Sequence, residues 1–202
     1  MSKTVAVAVL VSGGGTNLQA IIDAQKKGII KSAEIKLVVS NNKDACALER
    51  ARNAGIETAV ILKKELGSAE AFETALIKTL EDHGIELIVL AGFMSILSER
   101  FTRRFDKRIL NVHPSLIPSF CEKGFYGLRV HEAALEYGVK VTGATVHFVN
   151  EIPDGGEIIM QKAVTIREND TPETLQKRVM RLAEWKILPL SVEKVSAELL
   201  NS

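Results

Sequence analysis

Short runs of consecutive apolar residues alternate with amphipathic stretches through the first half of the chain. Val5–Val11 (VAVAVLV) is continuously apolar and rich in β-branched residues, the pattern of a strand buried on both faces. A glycine-rich turn follows, and Asn17–Lys27 then carries Leu18, Ile21 and Ile22 at helical spacing before Gly28 stops it. Ile35–Val39 predicts a second strand, Asp44–Asn53 a helix closed by Gly55, and Thr58–Leu62 a third strand. Ser68 is a suitable N-cap for a long helix that reaches His83 and ends before Gly84. Leu87–Leu90 and Arg108–Val112 predict two more buried strands.

Strand–helix–strand order repeated in this way means a parallel sheet with right-handed crossovers, a Rossmann-like α/β layer. The rhythm changes after Pro118. Leu128–Tyr137 predicts a helix stopped by Gly138, and Val139–Val149 and Glu157–Ile166 predict two long strands. The turn-rich link between them, which ends in Pro153-Asp154-Gly155-Gly156, makes that pair antiparallel. Thr171-Pro172-Glu173 opens a final helix with proline at its first position, and Pro189 is expected to kink or split it. There is no internal repeat, low-complexity tract or linker, so residues 1–202 are expected to form one domain. Its mostly parallel central sheet would carry helices on both faces and an antiparallel strand pair in the C-terminal half.

A length of 202 residues suffices for one well-buried domain of this kind. Lysine and arginine number 26 against 25 acidic residues, a net charge of +1, so bulk charge favours neither nucleic acid nor an anionic membrane. Any anion must be gripped locally, and small molecules are the expected partners. The basic run Arg103, Arg104, Lys107 and Arg108, interrupted by Phe105 and Asp106, has the character of a solvated helix face. No stretch approaches the roughly 18 apolar residues of a membrane span, and the N-terminus lacks a signal-peptide pattern. Cys46 and Cys121 are far apart and belong to no CxxC pair, which argues against a disulfide framework or a zinc site. A reducing cytoplasm is the expected compartment, and no metal is expected.

Two segments carry candidate chemistry. Ser12-Gly13-Gly14-Gly15-Thr16-Asn17 lies between the first strand and the first helix. Glycines allow close backbone approach, and the helix N-terminus offers unpaired N–H groups to a phosphate. The turn has no Gly-Lys-Ser/Thr, and Leu18 stands where a dinucleotide fingerprint needs its third glycine. A monophosphate on Gly15, Thr16 and Asn17 fits better than a nucleotide fingerprint; the alternative is a turn whose glycines serve geometry alone. Asn111-Val112-His113-Pro114 then places an amide and an imidazole on the same side of a strand, at its carboxyl end. An amide N–H beside an imidazole can stabilise an oxyanion while the ring moves a proton, as acyl transfer requires. The alternative is a buried histidine satisfied by backbone.

Asp154 could complete a trio if the fold brings it alongside His113, though Asp-Gly is also a common turn signal. His83, His131 and His147 lack a neighbouring amide and proline and are expected to be structural or peripheral. No histidine pair has zinc spacing, and there is no Gly-x-Ser-x-Gly elbow.

These segments resemble the phosphoribosylglycinamide formyltransferase family over nearly the whole chain. The resemblance rests on Ser12–Ile22 (SGGGTNLQAII), Leu90–Met94 (LAGFM), Asn111–Pro118 (NVHPSLIP), Val141–Val149 (VTGATVHFV) and Asp154–Gly156 (DGG). It implies a formyltransferase fold whose N-terminal half binds the ribonucleotide phosphate at Gly15, Thr16 and Asn17, while its C-terminal half contributes a folate site. It further implies 10-formyltetrahydrofolate as co-substrate, its pterin near Met94, Ser95, Ile96, Leu97, Asn111, Val149 and the Asp154 turn. Asn111 and His113 would stabilise the tetrahedral intermediate, Asp154 would tune His113 and orient a water, and Glu184 would contact the ribonucleotide. Ser95, Ala69, Trp185 and Glu157 stand where the family often has arginine, arginine, histidine and proline, so tail recognition of the folate is expected to differ; Lys64 or Arg103 could substitute by charge. Methionyl-tRNA formyltransferase and formyltetrahydrofolate deformylase share the trio but carry an added C-terminal or N-terminal domain, and are the less expected readings. A non-catalytic phosphate sensor on the same fold is the alternative outside enzymes. The Ser119–Gly127 segment is a candidate lid or an ordinary surface connection, and the molecule a monomer or homodimer.

Overall fold

Apolar runs set the frame of the computed structural model, which describes residues 3–121 and 124–202. Among the described residues the strands are β1 (Val5–Val11), β2 (Ala33–Ser40), β3 (Glu57–Val60), β4 (Leu87–Leu90), β5 (Ile109–His113), β6 (Val141–Phe148) and β7 (Ile158–Thr165). They form one sheet in the order β3-β2-β1-β4-β5-β6-β7. Pairing is parallel from β3 through β5 and antiparallel for β5–β6 and β6–β7. The helices are α1 (Thr16–Lys26), α2 (Cys46–Asn53), α3 (Lys63–Leu66), α4 (Ala69–Asp82), α5 (Glu99–Arg104), α6 (Leu128–Tyr137), α7 (Pro172–Val179) and α8 (Trp185–Leu200).

The continuous apolar run of β1 has a simple cause. Val5, Val7, Val9 and Val11 pack with Leu18 and Ile21 of α1 and Leu188 and Val192 of α8. Ala8 and Leu10 point the other way, into a second cluster with Phe72, Leu76 and Leu80 of α4 and Phe101 of α5. Both faces of the sheet are thus covered, and each fully buried leucine or isoleucine contributes about 1.5–3 kcal/mol. The Ser68 hydroxyl caps α4 by accepting from the Ala71 amide at 3.0 Å. Buried Glu73 of α4 accepts from the Ser98 amide (2.6 Å) and hydroxyl (2.5 Å), which fixes the segment between β4 and α5. Arg103 and Arg104 lie on the exposed face of α5, where they pair with Glu99 and Glu81.

The C-terminal segment departs from expectation. α8 runs uninterrupted through Pro189. The irregularity sits upstream, where Met180–Glu184 forms a widened π turn and the Trp185 N–H reaches the Met180 carbonyl. Proline lacks the N–H that would bond to the carbonyl four residues back, that of Trp185, and its ring crowds that carbonyl. The wide turn ends just before that point. π turns are common where a helix must present a side chain to a site, and here the side chain is Glu184.

Candidate active site

Strand order reverses between β1 and β4: the chain builds outward through β2 and β3 on one side and through β5 on the other. In open α/β sheets ligands bind outside the carboxyl ends of the strands at such a switch point. Three segments leave the sheet there: Ser12–Gly15 after β1, Gly92–Leu97 after β4, and the end of β5 at Asn111–His113. Between them lies a cavity of about 810 Å³, lined by Asn17, Met94, Ser95, Ile96, Asn111, His113, Asp154 and Glu184 among others.

The glycine turn is built by packing as well as by ligand access. Gly15 has φ +72°, and a Cβ on it would lie 2.6 Å from the Ala47 Cβ, so α2 and the turn meet only with glycine there. Ala47 N–H donates to the Gly13 carbonyl at 3.0 Å, and Arg50 Nε to the Gly14 carbonyl at 2.8 Å. α1 begins without a side-chain cap, which leaves its first N–H groups facing outward. Asn17 donates from Nδ2 to the Glu184 carboxylate at 2.7 Å across 167 residues of sequence. Its Oδ1 is buried without a partner among the described residues. Burial pushes the Glu184 carboxyl up to about 7 against the opposing pull of the Asn17 hydrogen bond.

At the end of β5 strand parity puts Asn111 and His113 on one side. Phe120 carbonyl lies 2.8 Å from His113 Nε2 and can only accept, so Nε2 carries a hydrogen in this arrangement. His113 Nδ1 then faces Asp154 Oδ2 at 3.5 Å. Asp154 reaches this position on a backbone with φ +54°, at the head of a turn that only glycine can close. A Cβ on Gly156 would come within 1.7 Å of the Phe148 carbonyl.

The antiparallel ladder adds a residue that the sequence reading set aside. Asn111 sits directly opposite His147 on β6. His147 Nδ1 must donate to the Phe148 carbonyl at 2.7 Å, so its Nε2 can accept from Asn111 Nδ2 at 3.2 Å. The same Nε2 lies 3.5 Å from Asp154 Oδ1. His147 therefore touches Asn111 and Asp154. Sequence parity alone does not reveal it, because its partner across the ladder depends on the register of two strands far apart in the chain. His131 is also in the cavity wall, fully buried, with neither ring nitrogen partnered among the described residues. Burial, and then the charge of His113, hold it down to about 4, so it is neutral near pH 7.

Not every expected residue joins the cavity. Leu97 is 9% exposed and belongs to the core beneath α4 and α5. Val149 packs against that same cluster while its N–H donates to the Ile109 carbonyl. Thr16 faces a neighbouring groove, and Gly15 is taken up by its contact with α2. Of the candidate lid, Glu122 and Lys123 lie outside the described residues; Phe125, Tyr126 and Gly127 line the cavity mouth.

A carboxamide whose Nδ2 reaches His147 and Asp154, an imidazole set between the Phe120 carbonyl and Asp154, and that carboxylate, gathered at a switch-point crevice, define a group-transfer enzyme site of the acyl type. Residues 5–192 match the formyl transferase domain model. The chain is 44% identical over 187 residues to phosphoribosylglycinamide formyltransferase of Haemophilus influenzae, covering 93% of this chain and 85% of that one. It is 48% identical over 196 residues, 97% of its length, to the chicken trifunctional purine biosynthetic protein adenosine-3, of which it spans 19%. The glycinamide ribonucleotide transformylase 1 of Symbiobacterium toebii superposes with a TM-score of 0.91 at 40% identity, over 98% of this chain and 90% of that one. The chain belongs to the phosphoribosylglycinamide formyltransferase family. It spans about a fifth of the trifunctional relatives and most of the stand-alone ones. Among the described residues no helix is long and apolar enough to cross a membrane.

Proposed function

We propose that this protein transfers the formyl group of 10-formyltetrahydrofolate to the amine of 5′-phosphoribosylglycinamide, as a step of purine biosynthesis. The observation that carries this reading is the convergence of Asn111, His113 and Asp154 in one cavity that also contains Asn17 and Glu184. The neutral amine attacks the formyl carbon and a tetrahedral intermediate forms. The bond from carbon to folate N10 then breaks, the amine nitrogen loses a proton, and N10 gains one. Asn111 Nδ2 donates to His147 Nε2 at 3.2 Å and, at a longer 3.5 Å, to Asp154 Oδ1; the N–H on that longer contact turns to the developing oxyanion. His113 adds a second donor by exchanging its Nε2 bond to the Phe120 carbonyl for one to the oxyanion, and moves the proton, with Asp154 facing its Nδ1 and orienting a water.

The roles divide within one domain spanning residues 1–202. Gly15, Thr16 and Asn17 receive the phosphate at the start of α1, and Glu184 accepts from ribose hydroxyls. Met94, Ser95 and Ile96 flank the pterin; Ile96 is 85% exposed and Met94 60%, surface suited to covering by a flat ring. No metal takes part in this scheme. The reaction fits a reducing, cytoplasmic setting, and a monomer or homodimer.

The test is absorbance-monitored conversion of the formyl folate, with and without the ribonucleotide, in the parent and in His113→Ala. Turnover should require the ribonucleotide and fall by about 10²–10⁴ in the variant. Consumption without the acceptor would instead make the protein a deformylase.

A further inference from the structure

A second concave site lies on the outer side of α1. α1 and α8 part there to leave a groove of about 660 Å³ that shares no lining residue with the reaction cavity. Its volume falls in the range that holds small organic ligands. Three of the chain's exposed large apolar side chains meet in it: Ile29 at 45%, Trp185 at 38% and Leu190 at 45% exposure. Around them stand Lys27, Arg50 and Lys186 against a single carboxylate, Asp23, which already accepts from Gln19 at 2.9 Å. A flat apolar floor with an aromatic ring and a basic rim calls for a planar, aromatic anion. Neither an aliphatic chain nor a cation matches both features. An aromatic base stacks on tryptophan irrespective of its identity, and a phosphate supplies close to two negative charges for three cations.

We propose that this groove is a second ligand site, which takes a nucleoside monophosphate with its base against Trp185 and its phosphate at the Lys27, Arg50 and Lys186 rim. The site adjoins the catalytic cavity through sequence neighbours on both of its walls. Thr16 precedes Asn17, Trp185 follows Glu184, and Asn17 and Glu184 are hydrogen-bonded to each other. Arg50 also braces the glycine turn through Gly14. Occupancy of the groove is thereby felt at the acceptor side of the reaction cavity, with Thr16 lining the groove at the edge nearest the glycine turn. The assignment does not depend on formyl transfer being the reaction.

Trp185 is the single tryptophan of the chain, so its fluorescence reports this groove directly. Adenosine monophosphate titrated into the full chain should quench it saturably. The double variant Lys27→Glu/Lys186→Glu changes two exposed side chains and should weaken that binding about tenfold. Saturating glycinamide ribonucleotide should leave the quench in place. The proposal fails if no saturable change appears up to about 1 mM, the weak end of specific affinity. It fails equally if the double variant binds as well as the parent, or if adenosine without its phosphate quenches as well. Competitive displacement by the ribonucleotide would place the nucleotide in the reaction cavity and overturn it too.

Discussion

Glu184 is a carboxyl held at 6% exposure with one hydrogen bond from Asn17, and burial raises it from 4.5 to about 7. In the unfolded chain it ionises near its ordinary value, whereas the folded protein keeps the proton up to near neutrality. The fold therefore binds the extra proton between those pH values, and stability falls as pH rises through that window. The magnitude is about 3 kcal/mol. Glu184→Gln keeps an acceptor for Asn17 without the charge, so its melting temperature should exceed the parent's at pH 8 and match it at pH 4. Parallel melting curves across that range would refute the buried-carboxyl account. His147 bears on the reaction instead: His147→Ala removes the acceptor that orients the Asn111 amide. Transfer should slow by up to about 100-fold with the ribonucleotide KM unchanged, and an equal rise in KM would make His147 a binding residue. Asn111 and His113 were legible because strand parity and Pro114 are local facts. His147 was not, since only the β5–β6 register brings it opposite Asn111.

Elements were legible where a local pattern decides them. The Leu128–Tyr137 helix and the Leu87–Leu90 strand have the boundaries that Gly138 and the apolar run announce. The π turn at Met180–Glu184 was not legible, because proline advertises a break at itself while the backbone relaxes a turn earlier. What holds that end of the molecule in place is Arg178 of α7. It forms two hydrogen bonds to the Asp170 carboxylate and one, at 3.1 Å, to the Thr165 carbonyl at the end of β7. Those bonds pull the Asp170 carboxyl down to about 2. With side chains only 11% and 3% exposed, removing one partner strands the other charge. Arg178→Ala should lower stability by about 3 kcal/mol and Tm by roughly 6–12 °C. The stabilisation from Asp170 should be full above pH 4 and fade below it, so that parent and variant converge in acid. A variant that melts within 2 °C of the parent at pH 7, allowing roughly 1 kcal/mol, would mean that the pair is solvated.

At the scale of the whole molecule the crevice is made by two loops that the sequence separates widely. The alternation of strands and helices announced a parallel sheet, but the position of β1 between β2 and β4 is a long-range outcome, and it alone places the glycine turn beside the loop after β4. The two loops are tied to each other. The Ser12 hydroxyl accepts from the Met94 amide at 2.9 Å, and Asn41, just after β2, braces the same loop by donating from Nδ2 to the Ser95 hydroxyl at 2.8 Å. With the ribonucleotide on the glycine turn and the folate on the Met94 loop, as proposed, ordering one loop also orders the other, and the coupling must run equally in both directions. At 100 times its dissociation constant a ligand stabilises by about 2.7 kcal/mol, which for a chain of this size raises Tm by roughly 5–10 °C. With the ribonucleotide and an unreactive folate analogue together, the shift should exceed the sum of the separate shifts. In Ser12→Ala, which lacks the hydroxyl that Met94 donates to, the combined shift should fall to that sum while the ribonucleotide's own shift persists. Additive shifts in the parent would mean that the loops bind their ligands independently despite the hydrogen bond between them.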